Sequence, residues 1–350
     1  MNRNTMTPMQ RVLTALSHKE PDRVPLFLLP TMHGAKELGI SIKEYFSKPE
    51  YVAQGQLCLL EKYDNDCLSA FFYGSLEVEA WGAEVIYSDD GPPNSGQPFI
   101  RKISDIKNLE VPEIAETPCL IKVLETIKIL KSKAADKVPI IGVAISPFSL
   151  PVMQLGFNRY IKLMYENHEL FQQLMKINEK FCIKWANAQL QAGAAAICYF
   201  DPVSSSTITT RDMYLKTGFK IAKRTLAGIQ GPAATHMASG RSISIINDIV
   251  KTGTAAIAVS CDEDIGQIKS MCKNKVSVMG NLNGIEMAGW TPETAEQKVK
   301  QVISRAAHGG GFILTDNHGE IPFQVKDEVL YAISNAVHKW GKYPIQNNFA

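Results

Sequence analysis

Eight short apolar runs, at residues 24–29, 67–72, 138–145, 194–200, 233–236, 255–260, 276–280 and 312–315, limit most strongly what this chain can become. They carry little of the in-out polar alternation that marks a half-solvated strand. Runs of this kind suit parallel strands buried on both faces. Parallel strands need long crossovers, and helical patterns supply them. In 168–192, the longest, Leu170, Leu174, Ile177 and Phe181 form one stripe, and Gly193 ends it. From residue 138 onward the strand–helix alternation is regular. An earlier helical pattern at 8–18 is stopped by Pro21 and Pro25. Eight βα units in 350 residues predict one α/β domain over 1–350, a (β/α)8 TIM-type barrel with an N-terminal helical extension. An open doubly wound sheet is the alternative. No Gly-x-Gly-x-x-Gly turn and no phosphate loop supports it. Residues 77–89 read as a hairpin excursion, with a turn at 90–93.

Composition narrows the function. The chain is 45% apolar and 21% charged with a net charge of +2, so it builds a large core and offers no basic surface for nucleic acid. The longest uncharged run, 138–157, contains Pro139, Pro147 and Pro151, so no membrane span is expected. Seven scattered cysteines, no Cys-x-x-Cys pair and no visible signal peptide point to a reduced, cytoplasmic setting.

In a barrel, chemistry collects where the strands end. After the last run the chain turns polar in Asp316-Asn317-His318-Gly319-Glu320. Other run ends carry Thr31 and His33, Tyr73, Tyr199 and Asp201, His236, Cys261 and Asp262, and Asn281. His33, Tyr73, Tyr199 and Asn281 are candidate substrate-binding groups. Asp201, His236 and His318 are candidate catalytic groups. His236, Cys261 and His318 also form a candidate metal set. Imidazole and thiolate are ligands zinc favours, and three ligands with an open fourth position is the catalytic arrangement. The competing reading makes Cys261 a packed thiol and the histidines hydrogen-bonding groups. If zinc is bound, Asp201 or Asp316 is the carboxylate expected to orient a ring, with Glu79 and Asp262 as substitute ligands. A solvated hairpin face is the commoner explanation for Glu77 and Glu79.

Several stretches resemble the uroporphyrinogen decarboxylase superfamily. They are Met6-Thr7-Pro8-Met9-Gln10-Arg11-Val12 with Glu20-Pro21-Asp22-Arg23-Val24-Pro25, then Glu77-Val78-Glu79-Ala80-Trp81-Gly82, Asp201-Pro202, Val259-Ser260-Cys261-Asp262-Glu263, and Met279-Gly280-Asn281. The nearest resemblance is to its corrinoid-dependent methyltransferase branch, of the methylcobamide:coenzyme M methyltransferase type. That resemblance implies the same barrel, and methyl transfer between a small molecule and the cobalt of a separate corrinoid protein. It also implies zinc held by a His-x-Cys pair and a later cysteine. In this chain His236 matches the histidine, but Ala238 stands at the paired cysteine and His318 near the later one. The expected set is therefore His236, Cys261 and His318. The decarboxylases instead hold a polycarboxylate with arginines in an early segment. Here that segment, residues 27–34, has none. The expected activity is methyl transfer, from a methoxy-type donor or to a thiol. The alternatives are uroporphyrinogen decarboxylase activity and a non-catalytic corrinoid-binding barrel.

Overall fold

The computed structural model describes residues 6–346. Its strands are β1 (Leu26–Phe27), β2 (Leu68–Ser69), β3 (Val85–Ile86), β4 (Asn94–Ser95), β5 (Ile140–Ile145), β6 (Ala196–Phe200), β7 (Ala233–His236), β8 (Ala256–Ala258), β9 (Ser277–Leu282) and β10 (Phe312–Asp316). Eight of them form one sheet in the order β1-β10-β9-β8-β7-β6-β5-β2, every pairing parallel. This is the curled sheet of an α/β barrel with helices outside it. β3 and β4 form the expected hairpin excursion. Among the described residues no helix is long and apolar enough to cross a membrane.

Two strands are much shorter than the runs that contain them, because side chains replace backbone partners on both flanks of β2. Between β1 and β2, the Asp66 carboxylate accepts from Leu26 N–H at 2.7 Å, and Asp66 N–H donates to Leu26 O at 2.7 Å. One residue earlier, the Asn65 amide bonds both Leu28 N–H and Leu28 O, at 3.1 and 3.3 Å. On the other flank, Gln189 of the helix His168–Ala192 bonds Val143 N–H and O at 3.0 and 2.8 Å. Farther up, Glu77 accepts from Ile145 N–H at 2.8 Å. Buried backbone groups need such partners. The seam of the barrel is therefore stitched by amides and carboxylates.

Phe27, Leu29, Cys67, Ala256, Ala258, Met279 and Ile313 come from strands or strand starts around the sheet, yet pack in one cluster. Only the barrel interior brings them together. Val12 and Ala15 of the helix Pro8–Leu16 join the same cluster. Gly311 N–H donates to Ala15 O at 3.1 Å, so this helix closes the amino-terminal end of the barrel. Thr7 and Gln10 form its capping box. Arg11 makes a two-point contact with Asp22 at 2.7 and 2.8 Å. Arg11 and Arg23 then converge on the fully buried Asp66 at 2.5 and 2.6 Å. The opening sequence motif is thus a plug, at the end of the barrel away from the strand carboxyl termini.

Three local expectations change. Residues 76–79 are a helical turn, not an extended face. Glu77 is buried on the β5 backbone and Glu79 accepts from Tyr73 Oη at 2.6 Å, so neither belongs to a solvated hairpin. A helix at Ile265–Cys272 separates β8 from β9, where the sequence pattern showed none.

Candidate active site

β7 ends in His236 and β6 in Phe200, adjacent in the sheet register. Their rings lie 5.3 Å apart. Ala234 faces the interior cluster, so His236, two residues on, faces the mouth. Its Nδ1 accepts a hydrogen bond from Ala238 N–H at 3.0 Å. Ala238 reaches that position with φ at +51°, a left-handed conformation. An Nδ1 that accepts has no proton, so the neutral ring carries its proton on Nε2. His236 Nε2 is buried and has no hydrogen-bond partner. Burial, with His318 nearby, holds the imidazole's pKa down at about 4.

His318 sits just past β10, half-buried. The preceding Asn317 is fully buried. In the amide orientation that satisfies its neighbours, Asn317 donates to Leu282 O at 2.9 Å and to His318 Nδ1 at 2.8 Å. Its oxygen accepts from Cys261 N–H at 3.0 Å. Asn317 therefore ties the ends of β8, β9 and β10 together and sets the His318 ring. Gly319 lets the loop run close to the rings: a Cβ there would lie 3.2 Å from Phe200 and 3.9 Å from His236. The three expected metal-set residues are thus brought to one side of the mouth.

They do not form a metal site. Among the described residues, no three His, Cys, Asp or Glu side chains are grouped to hold a metal ion. The donor chemistry agrees. A histidine that binds metal through one ring nitrogen normally donates its other N–H to an acceptor. Both rings here have the reverse arrangement, with Nδ1 receiving a proton donor. The Cys261 thiol is pushed up to about 11 by burial, with Asp262 adding to the effect. The side chains present therefore do not fit the expected zinc. The groups that fix the rings are Ala238 N–H and Asn317, not Asp201 or Asp316. The substitutes also have other surroundings. Glu79 is occupied by Tyr73, and exposed Asp262 lies 3.7 Å from the Cys261 sulfur.

Asp201 is buried and accepts from the hydroxyls of Ser146 and Ser149 at 2.5 and 2.8 Å. It ties the loops after β5 and β6, and burial raises its pKa. Asp316 accepts from Leu29 N–H at 3.2 Å and keeps a buried Oδ2 without a partner. Burial lifts Asp316 to about 6 and Glu320, which accepts from Thr31 Oγ1, to about 7. The mouth therefore contains carboxyls whose charged forms are disfavoured.

Of the four expected binding residues, Tyr199 departs most clearly. It packs outward with Trp185, Ala222 and Leu226 in the helical layer. His33 begins the helix His33–Leu38, is fully buried, and contacts Val325 O through Nε2 at 3.3 Å. Tyr73 lies among Phe46, Phe72 and Tyr87. Asn281 donates to Ser260 O and Glu263 O at 2.9 and 3.1 Å, bracing the loop after β8. That loop borders a polar cleft of about 250 Å3, lined by Cys261, Asp262, Asn281, Asn283 and Glu286 on the strand side. Arg305 faces it from the helix Pro292–Ala306. Phe200 and Asn317 carry geometry that the strand-end reading missed. Asn317 had one visible signal, its place between Asp316 and His318 on a buried strand end.

Glu77 offers a direct check on the seam. Its Oε2 is buried without a partner by strict hydrogen-bond geometry, although the Trp185 indole approaches closely enough to favour the charged form somewhat. Burial dominates and lifts the carboxyl from 4.5 to about 8. A carboxyl raised on folding binds its proton more tightly in the folded state. Its contribution is full below the unfolded pKa and is lost as pH rises through the folded one. Stability should therefore fall between about pH 4.5 and about pH 8, and Glu77→Gln should flatten that fall. Urea midpoints of both proteins across this window measure the difference, to which Asp316 and Glu320 contribute equally in each. Parallel curves would contradict the assignment.

Comparison with known proteins places this geometry. The family described as Uroporphyrinogen decarboxylase (URO-D) matches residues 7–340. A uroporphyrinogen decarboxylase of Methylococcus capsulatus is 25% identical, over 94% of this chain and 97% of that protein. A methylcobamide:CoM methyltransferase of Methanosarcina barkeri is 27% identical, over 91% of this chain and 94% of that one. Among solved structures, a methyltransferase from Methanosarcina mazei superposes with a TM-score of 0.84 at 22% identity, over 95% of this chain and 99% of its own. A B12-independent methionine synthase from Shewanella sp. W3-18-1 superposes at 0.56 with 14% identity, over 85% and 89%. At such identities the superpositions speak for the fold. The relatives are enzymes of two kinds, decarboxylases and a methyltransferase, and this chain belongs to the uroporphyrinogen decarboxylase family.

Proposed function

We propose that this protein is a corrinoid-dependent methyltransferase. It moves a methyl group between a small molecule, of the methoxy type, and the cobalt of a separate corrinoid protein. One observation carries the choice over decarboxylation: where the arginines are. Among the described residues, the two buried ones, Arg11 and Arg23, sit at the closed end of the barrel and are locked onto Asp22 and Asp66. Near the mouth, Arg211, Arg241 and Arg305 are exposed, and Arg211 is already engaged by Asp248 at 2.8 Å. The interior of the mouth instead holds Asp201, Asp316 and Glu320, whose burial disfavours charge. A substrate with many carboxylates would lose its hydration there without guanidinium partners. A small neutral molecule meets no such penalty.

In the forward direction the C–O bond of the donor breaks with its electron pair left on oxygen. The methyl group passes to reduced Co(I), which supplies the new bonding pair, and the oxygen ends as an alcohol after gaining a proton. The chain's own part is to bind the donor, orient it and stabilise charge on that oxygen. The test is incubation with cob(I)alamin and a panel of methoxy compounds, followed by the spectral change to methylcobalamin, alongside an assay with uroporphyrinogen. Methyl transfer without coproporphyrinogen is the expected result. Coproporphyrinogen formation, or no methyl transfer in either direction, would overturn the reading.

A further inference from the structure

We infer that His236 and His318 serve as a pair of neutral hydrogen-bond donors, each presenting Nε2–H to a substrate oxygen, in place of a bound metal. The inference rests on the methyl-transfer reading only for the identity of that oxygen. The arrangement itself stands on two independent contacts. Ala238 N–H points at His236 Nδ1 at 3.0 Å, and the Asn317 amide donates to His318 Nδ1 at 2.8 Å. A neutral imidazole has one proton, so a donor at Nδ1 leaves that proton on Nε2. To ligate a metal through Nε2, each ring would have to move its proton to Nδ1 and set N–H against N–H. Nδ1 is itself covered in both rings. The usual supporting group of a metal-bound histidine is a carboxylate or a carbonyl. Here it is replaced twice by a donor, once from the backbone and once from an amide.

The position of Ala238 sharpens this. In the zinc-dependent branch that the chain resembles, that position supplies a thiolate. In this chain the side chain is a methyl group, and the residue's left-handed backbone, φ +51°, turns its N–H onto the imidazole. The residue that could have been a ligand thus makes its neighbour a donor. His236 Nε2, buried and without a partner, is a site that a ligand acceptor would complete. Phe200 packs beside the His236 ring, and Gly319 keeps the following loop free of a side chain at that point. Two N–H groups suit an ether, carbonyl or alkoxide oxygen. They repel a quaternary ammonium, and they cannot bind a thiolate sulfur and lower its thiol's pKa as a Lewis acid would. The ligand class is therefore a methyl-bearing or newly demethylated oxygen. Neutral donors held in place stabilise charge that develops on such an oxygen.

Nitrogen-15 spectra of the full chain labelled only at its seven histidines test this at neutral pH, with His236→Gln and His318→Gln to assign the two rings. Both rings should show a protonated Nε2 and a bare Nδ1, and one equivalent of zinc should leave both unshifted. Asn317→Asp puts an acceptor at His318 Nδ1, so it should move that ring's proton to Nδ1. A proton on Nδ1 of either ring in the unmodified protein, or an Nε2 shift on adding zinc, would overturn the inference. If Asn317→Asp does not fold, the unmodified protein decides alone. A zinc shift together with methyl transfer would sink this inference and keep the proposed function. The expected tautomers without methyl transfer would sink the proposed function and keep the donor pair.

Discussion

Replacing Asp66 by alanine is expected to destabilise the fold by about 3–5 kcal/mol, the usual loss when one partner of a buried ion pair is removed. Asp66 is fully buried and accepts from Arg11, Arg23 and the Leu26 backbone. Its own N–H completes the seam to β1. Alanine would leave two guanidinium groups buried with only part of their counter-charge, Asp22 for Arg11 and Asp64 for Arg23. A loss of that size is a large share of the roughly 5–15 kcal/mol that holds a domain folded. Asp66→Asn keeps some hydrogen bonds and removes the charge, so it should fall between wild type and alanine. Urea denaturation at neutral pH measures both. A shift below about 1 kcal/mol for alanine would mean the plug contributes far less than its geometry implies.

The same residues show what could be read before any coordinates. Eight apolar runs gave eight parallel strands, because a strand buried on both faces leaves a contiguous signature. The lengths of β1 and β2 could not be read. Residues 24–29 and 67–72 look like full strands, yet each pairs over two residues. The Leu26 and Leu28 backbone groups bond to Asp66 and Asn65, and on the facing edge of β5 the Val143 and Ile145 groups bond to Gln189 and Glu77, contacts that span 46 and 68 positions. No local pattern announces such a partner. Glu77 is the clearest case: charge suggested solvent, whereas its function is to complete a backbone edge.

Phase within a strand was the second obscurity. A strand apolar on both faces does not show which residues face the interior. Tyr199 looked like a mouth residue because it lies next to the end of its run. It faces the helices, while Phe200 shares the mouth with His236. Strand-end chemistry was readable as a set of residue types, and His236, Cys261 and His318 do meet on one side of the barrel. Their protonation was not. It depends on Ala238 N–H and on the Asn317 amide, a backbone direction and a neighbour that residue types alone do not reveal.

His236→Ala should lower kcat/KM for methyl transfer about 10²–10³-fold, the effect of deleting one fixed donor to a developing oxyanion. The ring is buried against Phe200, so alanine also leaves a cavity and should lower the melting temperature, whereas His236→Gln fills most of that space. His236→Gln can still present an N–H from its amide and should recover part of the loss, chiefly in kcat. The pH profile separates donor from metal. With its folded pKa held at about 4, His236 is neutral throughout the range where most enzymes are assayed, so it should add no inflection between about pH 5 and 8. Metal-bound water would titrate near 7. Rates from the cob(I)alamin assay, taken across that range with and without a chelator, distinguish the two. An inflection near neutrality that vanishes in His236→Ala, with loss of activity on chelation, would return the site to a metal. A profile unchanged in shape by His236→Ala, with any inflection left to Asp316 and Glu320, indifference to the chelator and rescue by glutamine would leave the imidazole N–H as the group that stabilises the leaving oxygen.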